Sequence, residues 1–215
     1  MALIFPKSTD KYVRIIGALV LLAGLGAGAL AMYIGSPDVI MTGYQPVQPV
    51  AYSHKLHAGD LGMDCYYCHF TADKSDHAAV PPTEVCMNCH TRVKANSPRL
   101  EKVRDSYNTG KPVEWVRVHR VPDYVFFNHK AHVTAGVSCV SCHGRVDQMV
   151  EVQQVEPLNM KFCLDCHRDP APNIRPPDQV TNLAWKPEGN PAAIGREIMQ
   201  ARGINPPEYC SGCHR

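Results

Sequence analysis

Ten cysteines in a chain of 215 residues all fall in one pattern, C-x-x-C-H. The five copies are Cys65-Tyr66-Tyr67-Cys68-His69, Cys86-Met87-Asn88-Cys89-His90, Cys139-Val140-Ser141-Cys142-His143, Cys163-Leu164-Asp165-Cys166-His167 and Cys210-Ser211-Gly212-Cys213-His214. A chance match at this Cys and His content is expected at roughly one position in ten thousand, so five matches carry chemistry. Two thiols three residues apart reach the two vinyl groups of one haem and become thioethers. The histidine that follows is then held under the iron as its first axial ligand. The expected cofactor is therefore five haem c. Cys65, Cys68, Cys86, Cys89, Cys139, Cys142, Cys163, Cys166, Cys210 and Cys213 make the covalent attachments, and His69, His90, His143, His167 and His214 are the proximal ligands. C-x-x-C is also half of a zinc site, but zinc sites pair two halves, five is odd, and zinc does not require a histidine after each second cysteine. The same trailing histidine argues against a thioredoxin-like redox pair. No cysteine remains for a disulfide or a nucleophile, and no catalytic residue is expected.

Six histidines lie outside the motifs: His54, His57, His77, His119, His129 and His132. A second imidazole on each iron makes it six-coordinate, able to exchange electrons but closed to substrate. Tyr52-Ser53-His54-Lys55-Leu56-His57 precedes the first two motifs, and Phe127-Asn128-His129-Lys130-Ala131-His132 precedes the third and fourth. On a helix, residues three apart share a face yet diverge enough to serve different irons. His54, His57, His129 and His132 are the expected distal ligands, with His119 as the next candidate. His77, in a polar stretch, and the thioethers of Met149 and Met160 are reserves. Each has a plainer reading as a solvated histidine or as core filling.

The first cysteines of successive motifs are 21, 53, 24 and 47 residues apart. With the repeated phrase, this reads as a duplicated two-haem module with a fifth site appended. The expected divisions are 36–122 for the first module and its linker, 123–170 for the second module and 171–215 for the fifth-haem segment. The chain is poor in aromatics (7%) and holds 18 prolines. Unaided it can bury only a modest core, so macrocycles are expected to serve as core and staples. The expected fold class is a single N-terminal transmembrane helix plus a loop-rich, mostly α, multihaem domain with little regular secondary structure. Ser97-Pro98 should open a helix with Leu100, Val103 and Tyr107 on one face, stopped at Asn108 and Gly110. Asn190 should cap a helix over Pro191–Arg202 that Gly203 ends. Four prolines between Asp169 and Pro177 mark a loop.

Ile15 to Ile34 is twenty residues without charge, enough to cross a bilayer. Lys7, Lys11 and Arg14 precede it, with Asp10 the only acid before Asp38. The positive-inside rule puts 1–14 in the cytoplasm, the span at 15–35 and the domain 36–215 on the outer, periplasmic face of a bacterial inner membrane. Ala29-Leu30-Ala31 resembles a cleavage site, but the apolar run is longer than a leader's core, so the span is expected to be retained. Gly24 and Gly28 form a G-x-x-x-G step that suits close helix packing in lipid, although glycine is common in membrane helices generally. Residues 1–35 hold three of the 22 basic and one of the 20 acidic residues, leaving 19 of each beyond. That neutral balance excludes nucleic acid as a partner.

These motifs resemble class III-type multihaem cytochromes, in which H-x-x-H precedes C-x-x-C-H. The resemblance implies that His54 serves the haem at Cys65 and Cys68, that His129 serves the haem at Cys139 and Cys142, and that His57 and His132 reach other haems. The whole chain is similar to the pentahaem subunits of alternative complex III, a quinol-oxidising respiratory assembly. The likeness rests on the single span, the five motifs, Pro122-Asp123-Tyr124-Val125-Phe126-Phe127-Asn128-His129, and Leu158-Asn159-Met160 before the fourth motif. It implies an iron–sulfur subunit, polytopic quinol-binding subunits and a monohaem cytochrome c as partners, membrane lipid around the span, and methionine as sixth ligand at one haem. The expected function is electron relay through five haems as a subunit of a quinol:acceptor oxidoreductase. The alternative is a stand-alone membrane-anchored quinol dehydrogenase. A pentahaem nitrite reductase would need a lysine-ligated haem, and a soluble shuttle would lack the span.

Overall fold

The computed structural model describes residues 5–6 and 8–214, so Lys7 of the basic flank lies outside the described residues. The chain divides into two units, 1–40 and 41–215. In the first, α1 (Thr9–Ile34) is a 26-residue helix that is apolar from Ile15 onward, with none of its residues buried. At 1.5 Å per residue it is about 39 Å long, enough for a bilayer's hydrocarbon core. Its mean hydropathy of 2.3 satisfies a membrane span by length and composition. The Gly35 N–H to the Ala31 carbonyl and the Ser36 N–H to the Tyr33 carbonyl close it, and a single turn, α2 (Pro37–Ile40), follows.

The second unit is loop-rich and mostly α, with no strand among the described residues. Two isolated bridges, Val125 to His214 and Val137 to Ile174, are its extended pairings. Its helices are short: α3 (Cys65–Cys68), α4 (Thr83–His90), α5 (Glu101–Thr109), α6 (His129–Ala135), α7 (Val140–His143), α8 (Met160–Arg168) and α9 (Pro191–Arg202). Buried apolar side chains are correspondingly few. Val50, Met87 and Val103 form one cluster beneath α4 and α5, flanked by Leu100, Val113 and Trp115. Ala171, Ile174, Val180 and Leu183 are buried along the loop that follows α8.

Local chemistry accounts for the helix ends. The Asn190 side chain accepts from the Ala192 N–H, and Gly203 (φ +63°) stops α9, as the sequence implies. Asn159 caps α8 in the same way through Phe162, and Asn128 caps α6 through Ala131. The helix expected from Ser97 differs. Ser97 makes no side-chain cap, a 3₁₀ turn (Pro98–Leu100) comes first, and α5 begins at Glu101. Its buried face is Val103 and Ser106, the latter bonded to the Thr83 hydroxyl at 2.7 Å, while Tyr107 is 45% exposed. The Asp169–Pro177 stretch is a loop containing a short 3₁₀ turn (Ala171–Asn173) that packs under α9.

That packing makes Gly195 obligatory, because a Cβ there would sit 1.8 Å from the Ala171 carbonyl oxygen. Alanine normally improves a helix by about 1 kcal/mol over glycine. At Gly195 the sign reverses: Gly195→Ala is expected to cost about 2–3 kcal/mol through backbone overlap. Thermal melting of the haem-loaded protein checks this, and an unchanged or raised Tm would show that α9 does not press on the Ala171 turn.

Candidate functional site

All five C-x-x-C-H copies lie on helical turns, where positions i, i+3 and i+4 share a face, so both sulfurs and the imidazole of each motif point the same way. Asp64 starts the first turn by accepting from the Tyr66 N–H at 2.7 Å. The second motif ends α4, the third forms α7, the fourth lies in α8 and the fifth sits on a 3₁₀ turn, Cys210–Gly212.

The two histidine phrases bring their imidazoles opposite motif histidines. His54 faces His69 with ring centroids 6.5 Å apart, and His57 faces His90 at 6.3 Å. In the second phrase His129 faces His143 at 6.4 Å and His132 faces His167 at 6.1 Å. An imidazole centroid lies about 1.2 Å behind its ligating nitrogen and a metal–nitrogen bond is about 2.0 Å long, so two axial imidazoles on one metal hold their centroids about 6.4 Å apart. All four gaps match that span. The first pair of each phrase is nearly parallel (3° and 14°), and the second is twisted (66° and 41°).

Hydrogen bonds fix the ring orientation. Nδ1 donates to a backbone carbonyl in His69 (Ala79, 2.8 Å), His90 (Val93, 2.9 Å), His167 (Pro207, 2.6 Å) and His214 (Tyr124, 3.3 Å). The same holds for His57 (Ser53, 2.9 Å), His129 (Asp76, 2.8 Å) and His132 (Asn128, 2.8 Å). A proton held at Nδ1 leaves the Nε2 lone pair for a metal. Ala79 and Lys94, at or beside two of these carbonyls, hold φ of +41° and +50°, strain that the surrounding contacts maintain. Burial pushes His54 down to about 4 and His143 down to about 3, and it lowers His119, His129 and His132 as well. These rings are neutral at physiological pH, the state a ligand requires.

Two aromatic side chains without a role in the sequence reading assist. Tyr52 packs edge-on against His54 (4.8 Å) and stacks on His57 (4.5 Å); Phe127 does the same to His129 (4.7 Å) and His132 (4.5 Å). Their matching place at the head of each repeated phrase was the available signal. The first phrase also departs from α geometry. His54 opens a π-helical turn, Lys55–Asp60, whose Gly59 lies so close to the Asp147 carbonyl that a Cβ would approach to 2.2 Å.

The remaining candidates sit elsewhere. His119 meets His143 edge-on at 4.2 Å, too near for a metal between the rings, and its buried Nε2 has no hydrogen-bond partner. His77 is a solvent-exposed side chain beside Asp76. Met149 is half-buried, with its carbonyl accepting from the Lys55 N–H at 2.8 Å, and Met160 is 67% exposed at the start of α8. His214 has Tyr124 stacked at 5.7 Å. Among the described residues no cluster of three or more His, Cys, Asp or Glu side chains gathers in the manner of a zinc site.

The family model for cytochrome c7 and related cytochrome c matches residues 125–215. A curated protein of Nitratidesulfovibrio vulgaris, "Menaquinone reductase, multiheme cytochrome c subunit", is 30% identical over 167 residues, covering 77% of this chain and 72% of the relative. The chain belongs to the multihaem cytochromes c. Such a cytochrome binds haem c covalently, and the ten free thiols, in pairs each followed by a histidine, suit that attachment. The four facing imidazole pairs of this multihaem cytochrome fit the group's axial positions in distance.

Proposed function

We propose that the chain is a membrane-anchored pentahaem cytochrome c that relays electrons as a subunit of a membrane quinone/quinol oxidoreductase complex. The observation that carries this reading is the set of four facing imidazole pairs at 6.1–6.5 Å, each joining a C-x-x-C-H histidine to one from a repeated phrase. Bound haem supplies one-electron exchange between ferric and ferrous iron. The protein's part is to close both axial positions, so that electrons pass and substrates do not bind. His69, His90, His143, His167 and His214 take the proximal positions. His54, His57, His129 and His132 take the distal positions opposite the first four, and backbone carbonyls hold the rings of His57, His129 and His132.

The relative's name supports a quinone-linked complex. The resemblance to alternative complex III supports quinol oxidation in particular, with an iron–sulfur subunit, polytopic quinol-binding subunits and a monohaem cytochrome as companions. Helix α1 holds the domain at the outer face of the membrane. Two measurements test this. Intact mass should exceed the polypeptide by five haem masses, and four or fewer would make one motif decoration. Detergent purification should retain polytopic partner subunits, and added quinol should reduce the haems of the complex. A lone chain that quinol reduces directly would favour the stand-alone dehydrogenase.

A further inference from the structure

Each histidine phrase is anchored on the other module. The Lys55 N–H donates to the Met149 carbonyl at 2.8 Å, and the Lys130 N–H donates to the Ser75 carbonyl at 3.0 Å. Lys55 and Lys130 occupy the same place in their phrases, and Ser75 and Met149 each stand ten residues beyond the first cysteine of their modules. A contact between one position and another, repeated with the roles exchanged, is the mark of isologous two-fold pairing. Here the pairing lies within one chain. Equivalent residues meet on such an axis, and the thiols of Cys65 and Cys139, the first cysteines of the two modules, interact with each other.

The other sulfurs extend the pattern. The thiols of Cys68 and Cys86, of Cys142 with Cys163 and Cys166, and of Cys163 with Cys213 lie within electrostatic reach of each other. In a c-type haem each sulfur is a thioether on the rim of the macrocycle, so neighbouring sulfurs mean neighbouring rims. Backbone and ring contacts agree. Tyr52 touches the distal histidines of sites one and two, and Phe127 those of sites three and four. One loop joins sites one and three, because Ala79 accepts from His69 while Asp76 accepts from His129. The segment leading to the fifth motif joins site four, because Pro207 accepts from His167.

We infer that the five sites form one unbranched line in the order two, one, three, four, five, with the internal two-fold axis between one and three. The inference rests on the pentahaem reading above. The line does not follow chain order, since the second motif is a terminus and the first is interior. Sites two and five are the ends at which partners deliver and withdraw electrons.

Two holoprotein variants separate this order from sequence order. Cys86→Ser with Cys89→Ser empties site two; Cys65→Ser with Cys68→Ser empties site one. Haem content of each is counted first by mass. A sub-stoichiometric electron is then injected by laser-triggered reduction, and its redistribution is followed optically. Emptying site two should leave fast redistribution among the remaining sites. Emptying site one should abolish the fast phase for the haem at site two. The opposite result, with site one stranded when site two is emptied, overturns the order. Iron positions in the unmodified holoprotein, from anomalous scattering, decide the matter even where a variant fails to fold. Nearest-neighbour pairs two–one, one–three, three–four and four–five uphold the line, and any other set sinks it. Five haems in a different order would sink the line alone, whereas fewer than five in the parent would sink the pentahaem reading itself.

Discussion

Produced without haem attachment, residues 41–214 should give the far-UV circular dichroism of an unfolded chain and show no cooperative melting transition. The holoprotein should melt cooperatively. The reason lies in what the chain can bury alone. One apolar cluster is centred on Val50, Met87 and Val103, and a few buried side chains line the loop from Ala171 to Leu183. The helices that carry the motifs are too short to stand unaided: α3 and α7 have four residues each, α4 has eight and α8 has nine. Isolated helices shorter than about 12–15 residues are marginal in water. Unpaired ring nitrogens add to the cost, since His54 Nδ1 and His119 Nε2 are buried without a hydrogen-bond partner. Haem reverses each deficit at once by filling the space between facing rings, bonding their Nε2 atoms and stapling distant turns together. A native-like spectrum from the haem-free domain would refute this and show that the loops hold themselves.

The sequence carried the chemistry of the site more fully than its arrangement. A cysteine pair with a trailing histidine is a local pattern, and so is a repeated phrase, which is why motifs, duplication and the histidines of both phrases could be read directly. Helix ends governed by a single cap, as at Asn190 and Gly203, were legible for the same reason. The anchors were not. The acceptor for His129 is a carbonyl of Asp76, 53 residues away, and the acceptor for His167 is a carbonyl of Pro207, 40 residues away. A backbone carbonyl leaves no signature in residue type. His119 shows the same limit from the other side. Its type and its short Val118–Pro122 context suggest a ligand, while the fold sets it edge-on to His143 at 4.2 Å, a neighbour that no residue pattern names. The face of Leu100, Val103 and Tyr107 was legible only in part: Val103 is buried, but Ser106, bonded to the Thr83 hydroxyl, is buried beside it while Tyr107 is 45% exposed.

Replacing His129 with alanine should open one iron without releasing its haem. The geometry isolates the effect. His129 faces His143 across 6.4 Å, with its Nδ1 proton on the Asp76 carbonyl, so the side chain's free nitrogen points only into that gap. The haem attached at Cys139 and Cys142 keeps both thioethers and His143, and its count by mass should not change. His132, three residues on, faces His167 and bonds its own turn through the Asn128 carbonyl, so the neighbouring site should stay closed. His119 does not replace the lost imidazole, because it lies edge-on to the His143 ring at 4.2 Å, too near for a metal between the two. The expected result is one new high-spin ferric signal in the electron paramagnetic resonance spectrum. It should come at the expense of a low-spin signal from a site whose axial rings are nearly parallel, and one equivalent of carbon monoxide should bind after reduction. His119→Ala makes the control. It removes a ring from the same neighbourhood and should leave the irons of the first four sites low-spin. A high-spin haem in the His119 variant would assign that histidine an axial role. A His129 variant that stays wholly low-spin and refuses carbon monoxide would show that His129 does not close the third site.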